Sequence, residues 1–152
     1  MGTTRTQDIP MWGVLVLKAI SIRQPWANLV VEGLKDVEIR TWRPQYRGVL
    51  YVHASSSYDK VACRLLRRNP EDLRRGAILA KCQLVDVIEY TSKRHFTRDG
   101  VRHRNPGRLY DGRQCGLVLE NIEVLEEPIP CKGQLGLWNC KEVISAHGQR
   151  RQ

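Results

Sequence analysis

The sequence predicts an α+β protein, a small mixed β-barrel of about six strands flanked by two or more helices. Three observations lead there. Apolar runs of period two outnumber stripes of period 3.6. Most of those runs are short and bounded by glycine or proline. No linker or internal repeat divides the 152 residues, and a chain of that length buries roughly 70% of the surface it would expose unfolded, enough for one core.

Residues 1–13 are polar and without periodicity, the pattern of a weakly ordered lead-in before a domain spanning 14–142. The opening matches the loose myristoylation pattern through Gly2 and Thr6, a motif that chance often supplies. Residues 14–22 form a β-branched run broken by Lys18 and predict a buried first strand, extended into Gln24 by the following proline. Pro25 suits the first turn of a helix in which Trp26, Leu29, Val30 and Leu34 make one apolar stripe, so Trp26 is expected in the core. Gly33 supplies a left-handed stop. From Asp36 the period becomes two, with Val37, Ile39 and Thr41 alternating with Glu38, Arg40 and Trp42, as in a strand with one polar face.

A turn at 43–48 leads to a strand at 49–54, where His53 reads as a hydrogen-bonded barrel histidine rather than a catalytic one, since no carboxylate pairs with it nearby in sequence. Residues 58–68 place Val61, Ala62, Leu65 and Leu66 on one helical face with Arg64, Arg67 and Arg68 outward. A long apolar strand then runs from Gly76 to Tyr90, with Asp86 marking its exit from the core. Residues 91–114 differ in kind, with seven Lys or Arg, two Asp, two His and few apolar anchors. They read either as a basic loop that meets phosphates, with Phe96 and Tyr110 available to stack on bases, or as a solvated insertion. Strands at 115–119 and again at 120–128, a core segment around Trp138 and a polar tail at 143–152 complete the chain.

Lys and Arg total 25 against 16 Asp and Glu, a net charge of +9. Such a surface attracts polyanions or serves solubility. The five cysteines form no C-x-x-C pair, so neither a zinc site nor a disulfide framework is indicated. They are expected as structural thiols in a reducing cytoplasm. No metal or cofactor is implied, no apolar run reaches the roughly 18 residues of a membrane span, and the oligomeric state is left open.

The residues that carry chemistry sit just past the helix stop. Gly33, Lys35, Glu38 and Arg40 spell G-x-K-x-x-E-x-R, with S-I-R-Q-P-W before it and Y-R-G-V-L-Y-V-H-A-S after it. Later come G-A-I-L-A-K-C-Q-L-V-D-V and L-E-E-P-I-P-C-K-G-Q-L-G-L-W. These four segments, in this order from Leu17 to Trp138, resemble the ASCH domain family, whose fold is a PUA-like β-barrel. The resemblance implies binding of RNA or of a modified nucleoside or nucleotide in a cleft lined by the motif residues. It also implies alternatives, since some compact members hydrolyse N4-acetylcytidine and related acylated cytosine nucleosides and others have been assigned ribonuclease activity. The hydrolytic members carry threonine where this chain has Glu38, so a carboxylate here would act as general base on water or read a base edge.

Residue types suggest the division of labour. Lys35 can hold a phosphate or an oxyanion, Glu38 can accept from a cytosine or adenine amino group, and Arg40 can orient that carboxylate or bind phosphate. In an enzyme Lys35 and Glu38 would be the catalytic pair. The competing reading is a structural Lys–Glu–Arg ion network that caps the barrel. Trp42, on the face of Glu38 and Arg40, is the candidate aromatic wall. Gln24 is expected at the cleft border, Ser55 and Ser56 as phosphate contacts, and Arg94, Arg98, Arg102 and Arg104 as a phosphate-holding flank. His95 and His103, eight residues apart, form no recognisable acid–base pair.

Overall fold

The computed structural model describes residues 16–151; the lead-in at 1–13, the myristoylation pattern and the first residues of the expected first strand lie outside them. The chain runs β1 (Lys18–Gln24), α1 (Trp26–Val31), β2 (Val37–Arg40), β3 (Gly48–Tyr58), α2 (Lys60–Leu65), a 3₁₀ turn (Pro70–Asp72), β4 (Ala77–Glu89), α3 (Lys93–Arg98), α4 (Gly100–His103), β5 (Cys115–Pro130), β6 (Leu137–Asn139) and α5 (Lys141–Arg151). The six strands form one mixed sheet in the order β2-β5-β4-β3-β1-β6. β1 and β3 are parallel, and the other pairs are antiparallel.

The α+β class and the strand number are as the sequence predicts, but the sheet is not closed: the short strands β2 and β6 are its two edges. Alternation gives the sheet two apolar faces. Ile20, Ile22, Leu50, Val52 and Ala80 pack with Ala27 and Val30 of α1 on one side. Ala19, Val49, Tyr51, Ile78 and Trp138 pack with Val143 and Ile144 of α5 on the other. The tail expected as polar from 143 onward is thus part of α5, and its two apolar residues cover the second face.

Four further expectations change. The segments at 115–119 and 120–128, expected as two strands, are one, because Asn121 takes a left-handed φ of 56° and forms a bulge at their junction. Between the pairs Gln83↔Glu120 and Lys81↔Glu123 β5 advances one residue more than β4, which bends the strand without ending it. Leu34 is exposed beyond the Gly33 stop, and Val61 and Leu65 are also exposed, since α2 buries Ala62 and Cys63 instead. Finally, 91–114 contains two helices, α3 capped by the Ser92 hydroxyl, which accepts from the His95 amide at 3.0 Å. Phe96 and Tyr110 form with Tyr90, Val37, Ile39 and Val118 a third apolar cluster against the β2 edge.

All five thiols are free, and four of them are buried. Burial pushes the Cys82 and Cys140 thiols up to about 12. A disulfide-exchange reagent at pH 8 is therefore expected to label at most Cys131 quickly in the native protein and all five thiols in guanidinium. Rapid native labelling of several thiols would contradict this packing.

Candidate functional site

The motif is built by the end of α1. Gly33 has φ +79°, and the amides of Leu34 and Lys35 both donate to the Leu29 carbonyl, at 2.9 and 3.1 Å. This closing turn reverses the chain into β2, which pairs with β5. Because strand residues alternate, Val37 and Ile39 enter the third apolar cluster while Glu38 and Arg40 take the opposite face.

Lys35, Glu38 and Arg40 form a row that runs from the interior outward. The Lys35 side chain is fully buried. Its Nζ donates to the Val37 carbonyl at 2.7 Å and to the His103 carbonyl, and lies 3.3 Å from Glu38 Oε1. Two carbonyl acceptors and a carboxylate around one nitrogen favour the ammonium form. Burial lowers its pKa, and the Glu38 carboxylate opposes that shift. Glu38 Oε2 accepts from Arg40 Nε at 2.9 Å and from Nη2 at 2.7 Å, and that Nη2 also donates to the Ser21 carbonyl at 2.8 Å. Burial would raise the Glu38 carboxyl, but Lys35 and Arg40 outweigh it and hold the group below the usual range for a carboxylate. Glu38 is therefore held as an anion, with Oε1 facing Lys35 and Oε2 bound by Arg40, while the Lys35 Nζ is turned toward acceptors within the chain.

Above Glu38 and Arg40 opens a cleft of about 780 Å³, with Trp26 and Trp42 among its lining. That volume suits a nucleobase-sized ligand. The Arg40 guanidinium stands 5.7 Å from the centroid of the Trp42 ring. Exposed Arg23 and Arg108 and the amide of Asn105 also line the cleft. Arginine and tryptophan surfaces can stack on a base, and the outer guanidiniums can meet phosphates.

Of the residues singled out from the sequence, Glu38, Arg40, Trp42 and Ser55 line this cleft. Lys35 lies beneath it and does not reach it. Gln24 is buried: its Oε1 accepts from the Asn28 amide at 2.9 Å, and its Nε2 donates to the Arg74 carbonyl at 2.6 Å, so it ties the start of α1 to the approach to β4. Ser56 lines an adjoining hollow. Arg94 and Arg98 are exposed on α3 and are not among the cleft residues.

Arg102 and Arg104 serve a different end. Arg102 Nε donates to Asp36 Oδ1 at 3.0 Å while its carbonyl accepts from the Asp36 amide at 3.1 Å. Arg104 Nε donates to the Leu34 carbonyl at 3.0 Å, and its own carbonyl accepts from Trp26 Nε1 at 2.8 Å. Together with the Lys35–His103 contact these bonds clamp 102–104 onto the motif and hold the Trp26 indole at the cleft wall. Trp26 is therefore only partly buried, not a core residue. Phe96, expected to be free for stacking, is buried and stacked on His103 at 4.4 Å between centroids, and the Tyr110 hydroxyl donates to the Tyr90 carbonyl at 2.8 Å.

His53 is the hydrogen-bonded histidine that its strand position predicts. Nε2 donates to the Cys131 carbonyl at 2.8 Å, so Nδ1 is the acceptor for the Ser21 hydroxyl at 3.0 Å. Burial lowers its pKa, which favours that neutral form. The sequence reading missed Arg23, Asn105 and Arg108. Arg23 had a signal, since it stands two residues from Ser21 on the same face of β1, and both line the cleft. Asn105 and Arg108 carried none, as they reach the cleft only through the clamp. Among the described residues no group of three His, Cys, Asp or Glu is placed to hold a metal ion, and no helix is long and apolar enough to cross a membrane.

Comparison with known proteins adds the following. The ASCH domain model matches residues 20–145. Activating signal cointegrator 1 of Homo sapiens is 35% identical over 137 residues, 82% of this chain and 22% of that protein, and the Mus musculus protein of the same name matches to the same extent. The chain thus spans about a fifth of the length of these curated relatives. An ASCH protein from Zymomonas mobilis shares the fold with a TM-score of 0.63 at 15% identity, covering 88% of this chain and 94% of that one. A mutant of that protein gives the same TM-score and covers 95% of its own chain.

Proposed function

We propose that this chain, which belongs to the ASCH domain family, is an RNA-binding module that takes a single-stranded base into the cleft between Trp26 and Trp42. The observation that carries the reading is the Arg40–Glu38 pair in the lining of a cleft that also presents the Trp26 and Trp42 indoles and the Arg23 and Arg108 side chains. Stacking on the indoles contributes affinity that tolerates many bases, while Arg40 and the rim of Glu38 supply donors and an acceptor for a base edge. The outer arginines add the salt-dependent phosphate contacts. Structurally the ion row is a fixed support: Lys35 neutralises Glu38 from behind, so Arg40 can present its remaining donors to a ligand without leaving a bare carboxylate below it. Its free thiols suit a reducing compartment such as the cytoplasm, which belongs to the same proposal.

The test is fluorescence anisotropy with labelled eight-residue single-stranded RNAs and a duplex DNA control. Binding of RNA is expected to weaken linearly in log–log coordinates as salt rises, with a slope of about −0.7 per phosphate contacted, hence about −1.4 for the two arginines. Negligible binding of every RNA at low salt would end this reading.

A further inference from the structure

The cleft does not stop at Ser55. Ser21, Ser55, Gln134 and Leu135 line it and also line a second hollow of about 890 Å³, whose other walls include Ser56 and Lys132. Between the two runs the loop 131–136. Leu135 there is 98% exposed. The loop that carries it is nonetheless anchored at several points. His53 Nε2 donates to the Cys131 carbonyl at 2.8 Å, and the Cys131 amide donates to the Gly76 carbonyl at 3.1 Å. At Gly133 the backbone is pressed so closely on its neighbours that a Cβ would come within 2.3 Å of Ser21 Oγ and 2.7 Å of His53 Cε1. Trp138 Nε1 completes the chain of bonds by donating to Ser21 Oγ at 3.1 Å.

A leucine in full contact with water loses the stabilisation its burial would bring, and this one follows directly on the anchor points at Cys131 and Gly133. Its position on the ridge between two hollows, each large enough for a base, gives it a use. The geometry points to a two-nucleotide site for single-stranded RNA, with one base between Trp26 and Trp42, the next in the Ser56–Lys132 hollow, and Leu135 wedged between the two bases.

This rests on the RNA-binding reading above and extends it. The Lys132 ammonium and the Ser55 and Ser56 hydroxyls are the groups that suit the ribose and the bridging phosphate of the second nucleotide. His53 takes no part in chemistry. It is a positioning residue whose two ring nitrogens hold the ridge loop to β1.

The experiment measures, by quenching of tryptophan fluorescence at low salt, the affinities of the four ribonucleoside monophosphates and of the matching dinucleotides such as UpU. In the unmodified protein the best dinucleotide is expected to bind about tenfold tighter than its mononucleotide, which corresponds to burying part of one leucine and its partner base. Leu135→Ala and Lys132→Ala, both at exposed positions, are each expected to reduce that ratio to within about twofold, whereas Leu135→Met keeps it. A melting curve for each variant separates this from a folding defect. Equal affinity for mono- and dinucleotides, or a ratio that survives both alanine substitutions, overturns the two-nucleotide site while leaving the cleft reading in place. Absence of binding to any nucleotide or to the eight-residue RNA overturns both.

Discussion

Glu38→Ala is expected to destabilise the protein by about 3–5 kcal/mol, because it leaves the buried Lys35 ammonium and the half-covered Arg40 guanidinium without their shared counter-charge. Unfolding in urea, followed by tryptophan fluorescence, measures this directly. A loss under about 1 kcal/mol would mean that the Lys–Glu–Arg row does not carry charge in the way its geometry implies. Glu38→Gln adds the pH dependence. Since the folded protein holds the Glu38 carboxyl below its ordinary value of 4.5, the unfolded chain binds the proton more readily than the native one. The stabilisation is therefore present in full above about 4.5 and is lost as the pH falls through the folded value. The acid limb of the stability curve should be shallower in Glu38→Gln than in the unmodified protein.

Trp42→Ala is expected to raise the dissociation constant for single-stranded RNA between about fivefold and 150-fold, as one base–indole stack contributes about 1–3 kcal/mol. Trp42→Phe, which keeps a flat aromatic face, should recover much of the affinity. Both variants need a melting curve, since Trp42 also packs against the larger apolar cluster. If the alanine variant, folded as the parent, bound RNA within twofold of it, the base would have to lie elsewhere than against this wall. The indole also borders the Arg40 guanidinium, which in either variant keeps its bonds to Glu38 and to the Ser21 carbonyl.

The local pattern of the chain was legible without the fold. The period-two run from Asp36 set the face that Glu38 and Arg40 share, and Gly33 marked the turn that brings them there; Trp42 lines the same cleft from a bend beyond the end of β2, where alternation no longer applies. Four ordered segments identified the family. The free, buried cysteines followed from their apolar surroundings and the missing C-x-x-C spacing. Each of these signals lies within a few residues of its consequence, and that is why the sequence carries it.

Closure of the sheet was not legible in the same way. Alternation specifies which face of each strand is apolar, but not whether the two outer strands of the sheet meet, and here the short β2 and β6 remain edges. The basic composition of 91–114 concealed three anchors, Phe96, His103 and Tyr110, that fold the segment against β2. Two of its arginines, Arg102 and Arg104, thereby became clamps on Asp36 and Leu34, while Arg108 was carried to the cleft.

Sequence by itself determined the class of the fold, its family and the three charged residues of the motif. Tertiary structure alone decided which of the three meets solvent: Lys35 is closed off by a carbonyl 68 residues away, and Trp26 is held open at the cleft by one 78 residues away. The physical reason is that the state of a charge or an indole depends on what covers it, and the covering atoms belong to a segment whose own periodicity says nothing about where it will dock.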